Sequence, residues 1–194
     1  MCTLNAARVI TAAAQMLGVD VLELERLALA ARPGAEGVTV LPFLDGERAP
    51  NLPHASGTLG GLRRETMTPE NIARAAYEGM LCNVAAGVGA LRDHGVGIRR
   101  IFLIGGASVS AAVQAIAPDV LGAQVVVPVA GERRSGCCPA GRVDPLGGSA
   151  SAGVGGRARV GRRSRRLRGP GSGARSVRRA AARHARDLSA THGI

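Results

Sequence analysis

The chain changes character at Gly131, and that change bounds what can fold. From Glu132 onward 15 Arg stand against 3 acidic residues, a net charge of +12, with no aromatic residue. Before that point 10 Arg meet 11 acids, a net of −1, and the three aromatics (Phe43, Tyr77, Phe102) all lie there. A segment built largely of Arg, Gly, Ala and Ser buries too little apolar surface to offset its ordering entropy. Residues 132–194 are therefore expected to be a disordered basic tail, and residues 1–131 the folded unit. With aromatics at 2% of the chain, its core must be packed from Ala, Val, Leu and Ile.

All 25 basic residues are arginine. The absence of lysine excludes a Walker A phosphate loop, a protein-kinase strand lysine and Schiff-base chemistry, each of which needs an amine. Four cysteines (Cys2, Cys82, Cys137, Cys138) show no disulfide or zinc spacing and read as reduced thiols of a cytoplasmic protein. No metal site is expected. No apolar run reaches the length needed to span a bilayer, and the N-terminus lacks a signal-peptide core.

Hydrophobic spacing predicts an α/β order. Asn5 is a candidate cap for a helix from Ala6 to Leu17 stopped by Gly18, and Asp20 with Glu23 for a second through Leu29. Val38–Leu41 reads as a buried strand, and Pro42–Leu62 as a long loop. Thr68-Pro69-Glu70 opens a helix that runs to the His94-Gly95 stop. Ile101–Ile104 reads as a buried strand entering Gly105-Gly106, followed by a helix from Ser110 to Ala117 and a strand at Gln124–Val127.

Two features could carry chemistry. Glycines directly after a strand let a ligand approach the backbone and leave N–H groups free, although such a turn is also an ordinary way to leave a strand. In the loop around Asp45, Glu47 and Arg48, the two acids and the arginine either hold a polar ligand or form a surface ion pair among themselves.

Together these segments resemble the C-terminal domain of the FGGY carbohydrate kinases, in particular the xylulokinase branch. Pro42-Phe43-Leu44-Asp45-Gly46-Glu47-Arg48-Ala49-Pro50 looks like that branch's P-Y-x-x-G-E-R-x-P loop. Gly57-Thr58-Leu59-Gly60-Gly61-Leu62, then Asn71-Ile72, Ala75-Ala76 and Tyr77-Glu78, fits the family's C-terminal signature. Ile104-Gly105-Gly106-Ala107, with Ser108 and Ser110, fits its adenosine-binding glycine motif. The resemblance implies part of an actin-like, RNase-H-like ATPase domain that works with ATP and Mg2+ on a sugar hydroxyl. D-xylulose is the first choice of substrate, and another sugar-acid or sugar of the family, such as gluconate, the alternative. It further implies that Gly105, Gly106, Ala107 and Ser110 border the adenosine, and that Asp45, Glu47 and Arg48 lie near the interdomain cleft. The sugar pocket, the first phosphate loop and the catalytic base of such kinases precede the matched region. This chain is thus expected to be an N-terminally truncated piece without activity of its own.

The tail departs from the family pattern at Arg133. Shifting the codons of Gly136 to Asp144 by one base permits Ala-Ala-Ala-Arg-Gln-Ala-Ala-Trp-Thr, the helix the family would place there. Residues 132–194 therefore read as an out-of-frame translation of a GC-rich gene. The rival reading is a basic arm that binds nucleic acid by charge alone, with no aromatics for base stacking. Oligomeric state is left open.

Overall fold

A computed structural model of the chain describes residues 3, 5–49 and 51–128, and the backbone of 164–166. Helix α1 (Ala7–Leu17) buries Val9, Ile10, Ala13 and Ala14 on one face and ends at Gly18, whose left-handed φ of +66° suits glycine. The expected Asn5 cap is not made. Ala6 is the cap residue, without a side-chain bond, and the Asn5 amide donates instead to the Gly46 carbonyl at 2.7 Å. Helix α2 (Val21–Ala30) does start at Asp20, whose carboxylate accepts from the Glu23 N–H at 2.7 Å. Glu23 itself turns to Arg26, which donates to it twice.

Strand β1 (Thr39–Leu41) pairs antiparallel with β2 (Thr58–Gly60). Strand β2 lies inside the stretch expected to be a long loop. Its glycine-rich sequence carries no strand signal, and its structure comes from the backbone of β1 rather than from its side chains.

Helix α3 (Pro69–Asp93) organises the rest. Thr68 caps it by accepting from the Asn71 N–H, and Pro69 occupies the first helical position, where its missing N–H costs nothing. Residues Asn71 to Asn83 are buried, because α1, α2, α4 and β1 all contact this helix. A pair of ions inside that stretch, Arg74 and Glu78, meets at 2.6 Å. Gly79 lets α3 approach β1 so closely that a Cβ there would collide with the Val40 carbonyl.

Strand β3 (Arg100–Phe102), helix α4 (Ala111–Leu121) and strand β4 (Gln124–Pro128) form a β-α-β unit with β3 and β4 parallel, Ile101 opposite Val125. The strand expected to be buried over 101–104 is half-exposed: Ile101 and Leu103 face the core, while Ile104 is 73% exposed. Side chains alternate along this segment, with Phe102 and Ile104 outward, whereas in β4 both Val125 and Val126 are buried. Helix α4 runs four residues past its expected end, through Pro118, and stops at Gly122 with φ +58°.

Within the basic segment, strand β5 (Ser164–Arg166) pairs antiparallel with β4, Val127 opposite Arg165. An open strand edge offers a row of N–H and C=O groups to any extended backbone, whatever its side chains. These three residues are thus ordered against the sheet. The remainder of 132–194, with the expectation of disorder there, lies outside the described residues.

Candidate functional site

The glycine turn after β3 is built for backbone exposure. Gly105 sits at φ +91°, ψ −176°, a region that only glycine enters freely. A one-turn helix follows over Gly106–Val109, fixed by the Ser108 hydroxyl, which donates to the Gly105 carbonyl at 2.7 Å. Nothing lies within 4 Å of the position a Cβ would take on Gly105 or Gly106. Gln114 steadies the turn from α4 by donating to the Ser108 carbonyl at 2.8 Å.

Three of the four residues expected around an adenosine, Gly106, Ala107 and Ser110, line one cavity of about 270 Å3. Gly105 stands directly before them in the chain. The opposite wall comes from the first turns of α1 and from α2 and α3, with Ile10, Leu22, Glu25 and Tyr77. Ser110 is shared between structure and cavity. Its hydroxyl accepts from the Val113 N–H at 3.2 Å, capping α4, and donates to the Glu25 carboxylate. Tyr77 is 1% exposed, and its hydroxyl has no hydrogen-bond partner among the described residues. Burial pushes the Tyr77 phenol above its ordinary pKa; the nearby Ser110 hydroxyl opposes this and Glu25 adds to it.

Glu25 and Tyr77 are the residues that sequence reasoning missed here. Tyr77 was legible only as part of a signature, and nothing local marks Glu25, since its neighbour Ser110 is 85 residues away.

The Asp45–Arg48 loop stands beside the same α1 terminus but does not line this cavity. Its two acids have opposite fates. Asp45 is exposed and pairs with Arg8 of α1 at 3.3 Å, so the surface ion pair joins the loop to a helix. Glu47 is 1% exposed. It accepts from the Thr3 hydroxyl at 2.7 Å, from the amides of Asn5 and Asn83 at 3.1 and 2.8 Å, and from the Arg48 and Ala49 N–H groups. Burial alone would raise its pKa, but these donors together hold it at about 2. Glu47 is therefore the anchor of the loop, and Arg48 is left at the surface beside it.

Cys82, the one cysteine among the described residues, is buried, and burial with Glu78 nearby pushes its thiol up to about 12. It is no nucleophile. Among the described residues no group of three or more His, Cys, Asp or Glu could hold a metal ion, and no helix is long and apolar enough to cross a membrane.

A parallel β-α-β unit packed on a long central helix, with an open glycine turn at the strand end, defines part of an actin-like ATPase domain. The FGGY family of carbohydrate kinases, C-terminal domain, matches residues 3–135. The chain belongs to this family. Xylulose kinase from Streptomyces rubiginosus is 39% identical over 132 residues, which are 68% of this chain and 26% of that protein. Gluconokinase from Bacillus licheniformis is 37% identical over 120 residues, 59% of this chain and 23% of that protein. The crystal structure of xylulose kinase from Bifidobacterium adolescentis superposes with a TM-score of 0.64 at 44% identity, covering 66% of this chain and 25% of that one. The chain thus spans about a quarter of the length of the curated relatives it matches. These relatives are phosphotransferases.

Proposed function

We propose that residues 1–131 form the nucleoside side of a carbohydrate kinase that moves the ATP γ-phosphate to a sugar hydroxyl, with D-xylulose the first candidate substrate. Gluconate is the alternative, since a gluconokinase is nearly as similar as the xylulose kinases. The observation that carries the reading is the cavity in which Gly106, Ala107 and Ser110 meet beside an unobstructed glycine turn. Its mostly apolar walls suit a flat heterocycle, and its volume falls just short of the ~300–1,000 Å3 typical of whole ligand sites. The phosphates would extend away from it, past the turn.

Phosphoryl transfer rests on positioning and on charge stabilisation around the phosphate. The residues described here supply the first for the nucleoside. We assign the base that takes the sugar proton, and the groups that hold the phosphates, to parts of the kinase outside residues 1–131. No described residue is assigned to the Mg2+ that accompanies ATP in such kinases. Sugar and ATP are the partners of this reading, and a cytoplasmic location follows from it.

Calorimetric titration of the chain with ATP and with adenosine tests the proposal. Each charge-assisted phosphate contact missing from the chain removes ~1.5–3 kcal/mol, about 10- to 100-fold in affinity. The expected result is millimolar or weaker ATP binding, with adenosine nearly as good. Micromolar ATP affinity strongly preferred over adenosine would place the phosphate site within this chain and overturn the assignment.

A further inference from the structure

Two polar groups at the inner end of the cavity have hydrogen-bonding capacity that the described residues do not use. The Tyr77 hydroxyl is fully buried and unpartnered, although it stands near Ser110 and Glu25. Glu25 accepts from the Ser110 hydroxyl through one carboxylate oxygen, Oε2, and among the described residues no donor is recorded for its other oxygen. The surrounding wall is apolar, from Ile10, Val21, Leu22 and Val113. A buried polar group left without a partner is costly, and such groups are found where a ligand completes the bond.

We infer that Tyr77 and Glu25 together read the edge of a nucleobase, selecting one that presents a hydrogen-bond acceptor next to an N–H donor. The inference rests on the nucleotide site proposed above and adds the source of its base specificity. The chemistry follows from what each group can do. A neutral phenol donates its proton to a ring nitrogen, while a carboxylate oxygen only accepts and so takes an exocyclic amine. With Ser110 already donating to Oε2, Oε1 is the carboxylate oxygen open to an exocyclic amine. The 6-amino edge of a purine has the required pair. A purine without the amine leaves the Glu25 oxygen desolvated and unmatched, which is the circumstance in which hydrogen-bonding sites discriminate most. Tyr77 and Glu25 are specificity residues in this account, since they touch the base and none of the reacting atoms.

The test compares adenosine with purine riboside, which lacks the 6-amine, by ligand-observed NMR titration of the full chain. Tyr77→Phe, Glu25→Gln and Gly106→Val are titrated in parallel. The full chain should bind adenosine about tenfold more tightly than purine riboside. Glu25→Gln should bring that ratio close to one, whereas Tyr77→Phe, whose ring-nitrogen partner both ligands share, should weaken both by a similar factor of about ten. Tyr77→Phe should also raise the thermal midpoint of the unliganded chain by a few degrees, because it removes an unpartnered buried hydroxyl while keeping the ring. A purely structural tyrosine would lose stability and leave both affinities alone. If Gly106→Val abolishes binding of both ligands but Glu25→Gln leaves their ratio and Tyr77→Phe leaves both affinities unchanged, the base lies in the cavity and is not read by these groups. The inference then fails while the site stands. Equal binding of the two ligands by the full chain overturns it in the same way. Adenosine binding untouched by Gly106→Val, or no adenosine binding at all, overturns the site itself and the inference with it.

Discussion

Asn83, halfway along α3, donates to Glu47 at 2.8 Å and so ties the long helix to a loop 36 residues earlier in the chain. Thr3 and Asn5 complete the knot by donating to the same carboxylate oxygen. Removing Glu47 would take away the acceptor these side chains share with the Arg48 and Ala49 N–H groups. Glu47→Ala should cost about 2–4 kcal/mol in urea unfolding. In contrast, Asp45→Asn, two residues away, should change stability by less than about 0.5 kcal/mol, because its pair with Arg8 is solvent-exposed. Equal effects of the two substitutions would contradict the division of roles in this loop.

The same carboxylate gives the fold an acid limit. Glu47 is held at about 2 in the folded chain, against an ordinary value of 4.5. Its folded pKa is depressed, so its stabilisation is complete above about 4.5 and is lost as pH falls through about 2. The amount is about 3 kcal/mol at neutral pH. Thermal midpoints measured from pH 6 to pH 2 should fall across that window, and Glu47→Gln should lack this component of the slope.

Close approach of α3 and β1 makes Gly79 intolerant of any side chain. The Cβ of Gly79→Ala would meet the Val40 carbonyl, a backbone group that cannot swing aside. Overpacking of this kind costs about 1–3 kcal/mol and should lower the melting temperature despite the better helix propensity of alanine. Gly89→Ala on the same helix, where nothing lies within 4 Å, serves as the control and should be neutral or stabilising.

Arg92 joins the ends of two helices. From the last turn of α3 it donates to the Leu121 carbonyl at 3.1 Å and to that of Gly122 at 3.4 Å, where α4 leaves its carbonyls unpaired. Arg92→Met keeps most of the side-chain volume and should cost about 1 kcal/mol in the same unfolding assay.

Helix starts and stops were readable in the sequence because their causes are local. Thr68-Pro69 and Asp20 begin helices, and Gly18 ends one, through bonds that span only a few residues. The same logic misled at Asn5, which looks like a cap and in fact binds residues 41 and 42 positions away. Strand β2 was invisible because its partner, not its composition, makes it a strand. The glycine turn was legible as an open turn at a strand end, and Ser110 with it, since both lie in one short segment. Glu25 and Tyr77 reach that segment only through the packing of α2 and α3 against α4, which no spacing along the chain encodes.

The most direct test of the account is the response of the chain to Gly106→Val, measured as adenosine affinity and thermal stability together. A Cβ on Gly106 meets nothing in the protein, so the melting temperature should stay within a degree or two of the original, about 0.5 kcal/mol at most. Adenosine binding should vanish, because the added side chain occupies the space left open beside the turn. Loss of binding with an unchanged fold is the predicted result. Unaltered adenosine affinity in a folded Gly106→Val chain would show that the nucleoside does not approach this turn, and would contradict the account.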